Sequence, residues 1–266
     1  MVTAYKAAAE IDVLTSSIPI AHYGQIPVNA FVLRGAEPVL VDTGAVVQSE
    51  AFMSALRSTI DPAELSWLWL THPDPDHIGC LHQLVRENPK LRVVTTFLGV
   101  GILSVFAPLP MDRVYLVNPG EKLVLPDRTL TAVKPPVFDN PSTTGFFDDK
   151  TRAFFSSDCF GALLPEPPHN AAEISEQQLR EGQTLWSTID APWIHKVDRS
   201  KLREELNQVR SMEPALLLSS HLPAAPGSLM TRLLSNLAEV PAAQPFVGPN
   251  QAALQQMLQQ MAAGQG

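Results

Sequence analysis

Short apolar runs alternate with turn residues through the N-terminal part of this chain. Such alternation is typical of strands joined by hairpins, and it predicts strands at Ile11–Leu14, Ile18–Ile20, Ala30–Leu33 and Val39–Val41. The apolar spacing then changes to that of one helical face, which predicts a helix over Ser49–Ser58.

The rest of the chain repeats this succession of strands and helices. Further helices are predicted at Ile78–Glu87, Ile174–Thr188 and Arg199–Ser211. Two β-rich halves, each followed by helices, favour two packed sheets with helices outside, that is, an α/β four-layer αβ/βα sandwich. A doubly wound parallel sheet would alternate strand and helix more strictly. The further predicted strands are Trp67–Leu70, Leu91–Thr95, Val114–Val117, Lys122–Leu125, Leu130–Val133, Ala153–Ser157 and Ala215–Ser219.

The C-terminal end differs in composition from the rest. We expect one globular domain over residues 1–240 and an Ala- and Gln-rich tail over 241–266. Within the tail, Gln251–Ala262 has the apolar spacing of one amphipathic helix, which favours a contact with a partner or a second copy of the chain. The last residues, Gly264–Gly266, are expected to fray.

Composition narrows the classes of function. The 266 residues carry a net charge of −8, which argues against nucleic-acid binding because phosphate contacts need a basic surface. No apolar run approaches the ~20 residues of a membrane span, and the N-terminus lacks the apolar core of a signal peptide. Cys80 and Cys159 do not form a disulfide framework. A cytoplasmic protein is therefore expected.

The segment Thr71–Gly79 carries the densest chemistry in the chain. It follows the apolar run Leu65–Leu70 and contains four side chains that bind metals well. Pro73 and Pro75 disfavour a helix here, since each removes a backbone donor and holds its predecessor extended. The segment therefore predicts a loop at a strand end whose side chains converge on one or two cations. The four potential ligands are His72, Asp74, Asp76 and His77.

A plainer interpretation of the same segment stays open. Asp and His beside Pro are common in turns, and Asp76 could cap a helix that begins near Ile78. Carboxylates together with imidazoles suit Zn, Mn or Fe, so the segment by itself does not select the metal.

Three more potential ligands stand at or near predicted strand ends. Asp158 directly follows Ala153–Ser157, and Asp139 lies in a Phe-Asp-Asn-Pro loop. One residue separates His221 from the end of Ala215–Ser219. Loops at strand ends can converge while the sheet holds them rigid, which is why active sites collect there.

Together these motifs resemble the metallo-β-lactamase superfamily. Val41–Gly44 is similar to its early Asp motif, and His72–His77 to its metal loop. The hydrolases of that superfamily have His-x-His-x-Asp-His, whereas Asp74 stands at the second His here. A carboxylate there resembles the flavodiiron, oxygen- and nitric-oxide-reducing branch, and Phe155–Gly161 is similar to that branch's strand around its bridging Asp.

The resemblance implies a role for each ligand. His72, Asp74 and Asp139 would hold a first metal ion. Asp76, His77 and His221 would hold a second one. Asp158 would bridge the two ions, and Asp42 would brace the metal loop through backbone hydrogen bonds.

The chain departs from the branch at two of these positions. The branch has Glu where Asp74 stands and His where Asp139 stands. One imidazole and three carboxylates on the first ion favour iron over zinc, with manganese or zinc as alternatives. In the alternative interpretation, Asp139 has lost its role as a ligand and the first site is weak or empty.

These expectations lead to a non-haem diiron protein that binds or reduces O2 or NO, with Asp76 and Asp158 as the reacting carboxylates. Lacking the branch's flavodoxin-like domain, it would need a separate electron-donor protein. Short relatives of the branch that lack this domain resemble oxygen-binding diiron proteins, and this chain resembles those relatives most. One alternative is a metal-dependent hydrolase acting on an ester, lactone or phosphodiester, and another is an oxygen sensor without turnover.

Overall fold

The computed structural model describes residues 1–263, in which two sheets pack face to face. The first sheet holds its strands in chain order, antiparallel through β4 and parallel from β4 to β7. Its strands are β1 Thr3–Ala8, β2 Ile11–Ile20, β3 Gly24–Leu33, β4 Val39–Val41, β5 Trp67–Trp69, β6 Arg92–Thr95 and β7 Val114–Leu116. The parallel pairing places the carboxyl ends of β4 and β5 side by side.

The second sheet has the order β13-β12-β11-β10-β9-β8. Its pairs are antiparallel except for β11 and β12, which run parallel. Its strands are β8 Lys122–Leu125, β9 Arg128–Val133, β10 Gly145–Asp148, β11 Ala153–Phe155, β12 Leu216–Leu218 and β13 Ala225–Pro226.

Helices cover the outer face of each sheet. Three connect strands of the first sheet: α1 Ser49–Thr59, α2 Leu81–Glu87 and α3 Phe97–Phe106. Helices α4 Glu176–Asp190 and α5 Arg199–Ser211 connect β11 to β12, while α6 Met230–Glu239 and α7 Gln251–Ala263 follow β13.

Three layers of buried side chains hold this arrangement together. One fills the space between the sheets, including Trp69 of β5 and Phe155 of β11. A second joins the first sheet to α1, α2 and α3, and a third joins the second sheet to α4, α5 and α6. The chain is therefore an αβ/βα sandwich, which confirms the expected fold class. None of the helices within residues 1–263 combines the length and apolarity that crossing a bilayer requires.

Several sequence-based boundaries were wrong or incomplete. The helix predicted from Ile78 begins at Leu81, because the preceding backbone is bound elsewhere: the Gly79 N–H donates to the Gly44 carbonyl. Its N-cap is Cys80, so Asp76 does not cap it. The strands predicted at Ile11–Leu14 and Ile18–Ile20 are parts of the single strand β2.

Five of the strands and helices were not predicted from the sequence: β1, β10, β13, α3 and α6. Helix α3 is apolar on nearly every side, with Phe97 and Val105 exposed, so it lacks the one-sided spacing that marks an amphipathic helix. The helix predicted at Gln251–Ala262 is present as α7, and Gly264–Gly266, which we expected to fray, lie outside the described residues.

Candidate metal centre

The loop after β5 is held against the segment after β4 by a ladder of backbone contacts. The Thr43 N–H donates to the His77 carbonyl at 2.8 Å, and the Val46 N–H donates to the Pro75 carbonyl at 2.9 Å. The Thr43 hydroxyl also donates to the His77 carbonyl at 2.8 Å. The conformation of this loop is therefore fixed by its contacts with the segment after β4, and not by its own sequence alone.

All the predicted ligands meet at this loop. Donor atoms of His72, Asp74 and Asp139 lie within 4.8 Å of one another, and so do those of a second set, Asp76, His77 and His221. Asp158 belongs with His72 and His77 in a third such set. The structure thus brings together side chains from both sheets.

Asp158 stands between the two sets and turns one oxygen to each. Its Oδ2 lies 3.2 Å from Nε2 of His72. Its Oδ1 lies 3.1 Å from Nε2 of His77 and 3.2 Å from Nε2 of His221. Asp158 and the three histidines are buried, whereas the side chains of Asp74, Asp76 and Asp139 keep 37%, 30% and 22% of their surface exposed. The less buried side of the centre is therefore lined by carboxylates.

Each buried imidazole is held by the nitrogen that faces away from the centre. His77 Nδ1 donates to Asp42 Oδ2 at 2.8 Å, and His221 Nδ1 donates to the Pro27 carbonyl at 2.7 Å. Carboxylate and carbonyl oxygens only accept, so Nδ1 carries the proton in both rings and Nε2 points inward. His72 Nδ1 lies 3.2 Å from the Ser157 hydroxyl.

The inward-facing atoms fit a bound cation. Among the side chains that the structure describes, Nε2 of His72, Nε2 of His77, Oδ1 of Asp139 and Oδ1 of Asp158 are buried without a hydrogen-bond partner. Leaving such atoms unpaired is costly in a folded protein. Carboxylates and neutral imidazoles around them form a donor set that divalent metals accept.

Asp42 anchors the metal loop from the end of β4. Besides holding His77, it accepts from the backbone N–H and the hydroxyl of Thr71, both at 2.8 Å. Its backbone has a positive φ of 57°. The bracing role expected for Asp42 thus includes a side-chain contact to an imidazole that the sequence did not predict.

The loop that carries Asp139 is fixed from outside the centre. The ammonium of Lys134 donates to the carbonyls of Pro141 and Thr143 at 2.9 and 3.0 Å. The Trp193 indole donates to the Phe138 carbonyl at 2.8 Å, directly before Asp139. From this loop the amide of Asn140 donates to Oδ1 of Asp74 at 3.0 Å, which ties Asp74 to the segment that carries Asp139.

One family of known proteins matches most of the chain. The family described as ODP family beta lactamase matches residues 26–221. The chain belongs to this family. The resemblance to the metallo-β-lactamase superfamily and its flavodiiron branch is therefore confirmed.

Relatives of this ODP-family chain include flavoproteins of greater length. An anaerobic nitric oxide reductase flavorubredoxin of Salmonella typhi is 27% identical over 171 residues, which are 64% of this chain and 36% of that protein. A putative diflavin flavoprotein of Nostoc is 30% identical over 134 residues, 50% of this chain and 23% of that protein. An uncharacterized protein of Methanocaldococcus jannaschii is 22% identical over 193 residues, which are 73% of this chain and 48% of that protein. The chain thus spans about half or less of these relatives.

Solved structures show the same fold. The rubredoxin oxygen:oxidoreductase of Desulfovibrio gigas superposes with a TM-score of 0.80 at 19% identity, over 92% of this chain and 63% of that one. A fragment of a putative diflavin flavoprotein of Nostoc superposes with a TM-score of 0.74 at 16% identity, over 91% and 96% of the two chains.

Charges within the ODP-family centre shift the pKa values of two of its histidines and of its central carboxylate in opposite directions. Burial lowers the pKa of His221, but Asp158 outweighs it and raises that pKa to about 9. The pKa of His77 also rises, because Asp76, Asp158 and Asp42 outweigh its burial. For Asp158, burial is outweighed by His72, His77 and His221, which hold its pKa well below the usual range.

At the first set of ligands the pKa shifts favour the neutral form of both Asp139 and His72. Burial, together with Asp158 and Asp74, raises the pKa of Asp139 to about 7. Burial, with His77 nearby, lowers the pKa of His72. This part of the centre thus contains an acid that stays partly protonated near neutral pH and an imidazole that stays neutral.

One acidic residue near the centre was not predicted from the sequence. Asp190, the last residue of α4, has a carboxylate oxygen within 4.8 Å of those of Asp139 and Asp158. Burial, with Asp158 and Asp139 close by, raises its pKa to about 8. A sequence signal did exist, because an acid at a helix C-terminus faces the negative end of the helix dipole and is unfavourable there.

Other residues considered from the sequence lie outside these clusters. Cys80 and Cys159 are buried, and burial raises the pKa of both thiols, that of Cys80 to about 11. Such thiols are packing residues and not reactive groups. His169 stacks on Tyr5 at 4.6 Å, and His22 is exposed in the turn between β2 and β3.

Proposed function

We propose that this chain is a non-haem diiron protein that binds or reduces O2 or NO at its carboxylate-rich centre. The observation that carries the proposal is the position of Asp158, whose two oxygens face two separate groups of ligand atoms. In this proposal the first ion is held by His72, Asp74 and Asp139. The second is held by Asp76, His77 and His221, and Asp158 bridges the two.

The chemistry of the donors supports iron. Asp74 and Asp139 leave the first ion one imidazole, from His72, among oxygen donors. Hard oxygen donors suit iron and manganese, while zinc prefers more nitrogen or sulfur. Three carboxylates in the two sets, together with Asp158, also offset the charge of two divalent ions, which favours the oxidised state of iron.

The residues of the chain would orient and shield the ions. Iron, when bound, supplies reversible electron transfer at a coordination position open to a small ligand. Asp42 and the Pro27 carbonyl fix the two rings of the second site so that Nε2 faces inward. Asp158 sets the separation of the two sites, and the partly exposed Asp74, Asp76 and Asp139 lie where a diatomic molecule would enter.

The names of two similar proteins support the choice of substrate. One is an anaerobic nitric oxide reductase flavorubredoxin and the other a rubredoxin oxygen:oxidoreductase. If this chain turns over, we propose that a separate protein supplies its electrons.

Metal analysis and an optical titration test the proposal. The protein is purified without oxygen, its metal content is measured, and O2 and then NO are added while the absorption spectrum is recorded. We expect about two equivalents of iron and a spectral change with O2 or NO. Two equivalents of zinc with no spectral change would contradict the proposal.

Hydrolysis is the second candidate, favoured by the position of Asp76. Its Oδ2 lies 3.5 Å from Nε2 of His77 and 3.4 Å from Nε2 of His221, and the side chain remains partly exposed. There it could orient a water for attack on an ester, lactone or phosphodiester. Turnover of model esters or bis-phosphodiesters by zinc-, manganese- or iron-loaded protein would favour this candidate, and inactivity in all three would favour the first.

The same centre could serve as an oxygen sensor, with the segment after residue 240 as a separate contact element. Phe246 packs edge-on against Tyr23 at 5.4 Å, while Leu254 and Leu258 of α7 are exposed. We propose that α7 binds a partner or a second copy of the chain. Sedimentation of the full chain and of a chain ending at residue 248 tests self-association, which only the longer form should show.

A further inference from the structure

Helix α4 presents two side chains, one turn apart, to the metal centre. The Trp186 ring lies 4.7 Å from the His221 ring. Asp190, four positions later, has a carboxylate oxygen within 4.8 Å of those of Asp139 and Asp158. The proposed function assigns no role to this carboxylate.

The placement of Asp190 works against the stability of its own helix. It ends α4, where the free carbonyl groups carry partial negative charge and an acidic side chain is destabilising. Two further carboxylates face it, from Asp139 and Asp158. A carboxylate in this position needs a positively charged partner, and a cation bound at the nearby centre would be that partner.

We infer that Asp190 supplies a further carboxylate oxygen to the first metal ion, beside Asp139 and Asp158. This inference rests on the proposed function, since it assumes the metal centre described there. An independent observation points to a cation at this place. His72 is fully buried, and its Nε2, which lies 3.2 Å from Asp158 and 3.7 Å from Asp139, has no hydrogen-bond partner among the described side chains.

The distances are compatible with one shared ion. At a metal–oxygen distance of about 2.1 Å, two oxygens on one ion are at most about 4.2 Å apart. The oxygens of Asp139, Asp158 and Asp190 lie within 4.8 Å of one another, so a small side-chain rotation would bring them to distances that one ion can span. Asp190 would then join Asp139 and Asp158 as a third carboxylate at that ion.

The test compares metal binding by Asp190→Asn with that of the wild type. Asparagine has nearly the shape of the protonated acid, so the metal-free variant should keep the wild-type circular dichroism and Tm. Metal-free protein is loaded with Fe(II) without oxygen, and both stoichiometry and affinity are measured by competition with a chromophoric chelator. The matched control is Asp112→Asn, an exposed carboxylate on a different segment.

We expect the wild type and the control to bind two ions. In Asp190→Asn the affinity for the first ion should fall by roughly 10-fold or more, the loss typical of disturbing a metal site, with the second ion unchanged. Loading with Mn(II) adds a spectroscopic test. The wild type should give the signal of a coupled pair, and the variant that of a single ion. Asp190→Glu, which keeps the carboxylate, should retain the first ion better than the asparagine variant.

Two results would overturn the inference while leaving the diiron proposal intact. One is wild-type affinity for both ions in Asp190→Asn. The other is an equal loss in the asparagine and glutamate variants, which would mean that the shape of the side chain matters and its charge does not. If the wild type itself binds no ions, the proposed function fails first.

Discussion

Oδ2 of Asp42 lies 2.8 Å from Nδ1 of His77, although the two residues are 35 positions apart in the chain. Asp42 directly follows β4 and His77 lies in the loop after β5, so the parallel pairing of these strands creates the contact. The carboxylate fixes the orientation of the imidazole and increases its basicity, as such partners do in metal sites.

Asp42→Asn should therefore weaken metal binding. Loss of a partner of this kind typically lowers metal affinity by about 10- to 100-fold. Competition titration with a chelator measures the effect. Asp12→Asn is the control, because Asp12 is also a buried carboxylate but pairs with Lys6 and Arg34 away from the centre. The control should lose stability and keep its metal affinity. Equal affinity in Asp42→Asn and the wild type would show that this contact does not support the site.

Asn140→Ala should weaken the first ion selectively. The variant removes the amide that donates to Asp74 Oδ1, so Asp74 loses the contact that orients it. We expect roughly a 10-fold loss in affinity for the first ion, with the second unchanged, measured by stepwise titration. Ser142→Ala is the comparison, because it removes the hydroxyl that donates to Asn140 but leaves the contact to Asp74. If both variants lose affinity equally, order in the loop is what matters.

Gly79→Ala should destabilise the fold. A Cβ at Gly79 would lie 2.6 Å from the carbonyl oxygen of Gly44 and from the carbonyl carbon of Ala45, and both are backbone atoms. Overpacking of this kind costs about 1–3 kcal/mol, which urea denaturation can measure. Gly101→Ala, within α3, is the control, because its Cβ would meet nothing within 4 Å. That change should stabilise by about 0.5–1 kcal/mol, since alanine favours a helix over glycine.

The metal-free protein should lose stability as the pH rises. Asp139 and Asp190 have pKa values raised to about 7 and about 8, so between about pH 4 and those values the folded state holds protons that the unfolded chain has released. The stability they contribute is complete below about pH 4 and is lost as the pH rises through 7 and 8. His221, with its pKa raised to about 9, extends the loss from about pH 6.5 to that value.

Metal binding should show the opposite dependence. Bound protons compete with the ions, so affinity should increase over the same range and binding should release protons. The pKa values of Asp76 and Asp158 are lowered, so these two carboxylates change protonation below this pH range. Tm values of metal-free and metal-loaded protein, recorded from about pH 5 to about pH 9, measure both trends. A rise in metal-free Tm across that range would contradict the assignment.

Both cysteines should be unreactive in the folded protein. The raised pKa values of Cys80 and Cys159 keep them as thiols, and both are buried. A chromogenic disulfide reagent should label them only after addition of denaturant. Fast labelling of either one without denaturant would contradict this prediction.

The sequence alone indicated the fold class and the seven side chains that gather at the candidate centre. The strand that ends at Trp69, the two prolines of the metal loop and the dense ligands around them are local features, readable without knowing what lies nearby in space. Helix α3 was missed because its apolar residues have no period, and the start of α2 was misplaced because contacts with Gly44 and Thr43 hold the preceding turn.

Only the tertiary structure decided which atoms meet. The contact of Asp42 with His77, the tie from Asn140 to Asp74 and the approach of Asp190 to Asp158 each join distant parts of the chain. None of them is visible in the spacing of residues, because a contact between distant parts of the chain depends on how strands, helices and loops pack against the core. A sequence therefore names the residue types of such a site, while packing decides their partners, orientations and charges.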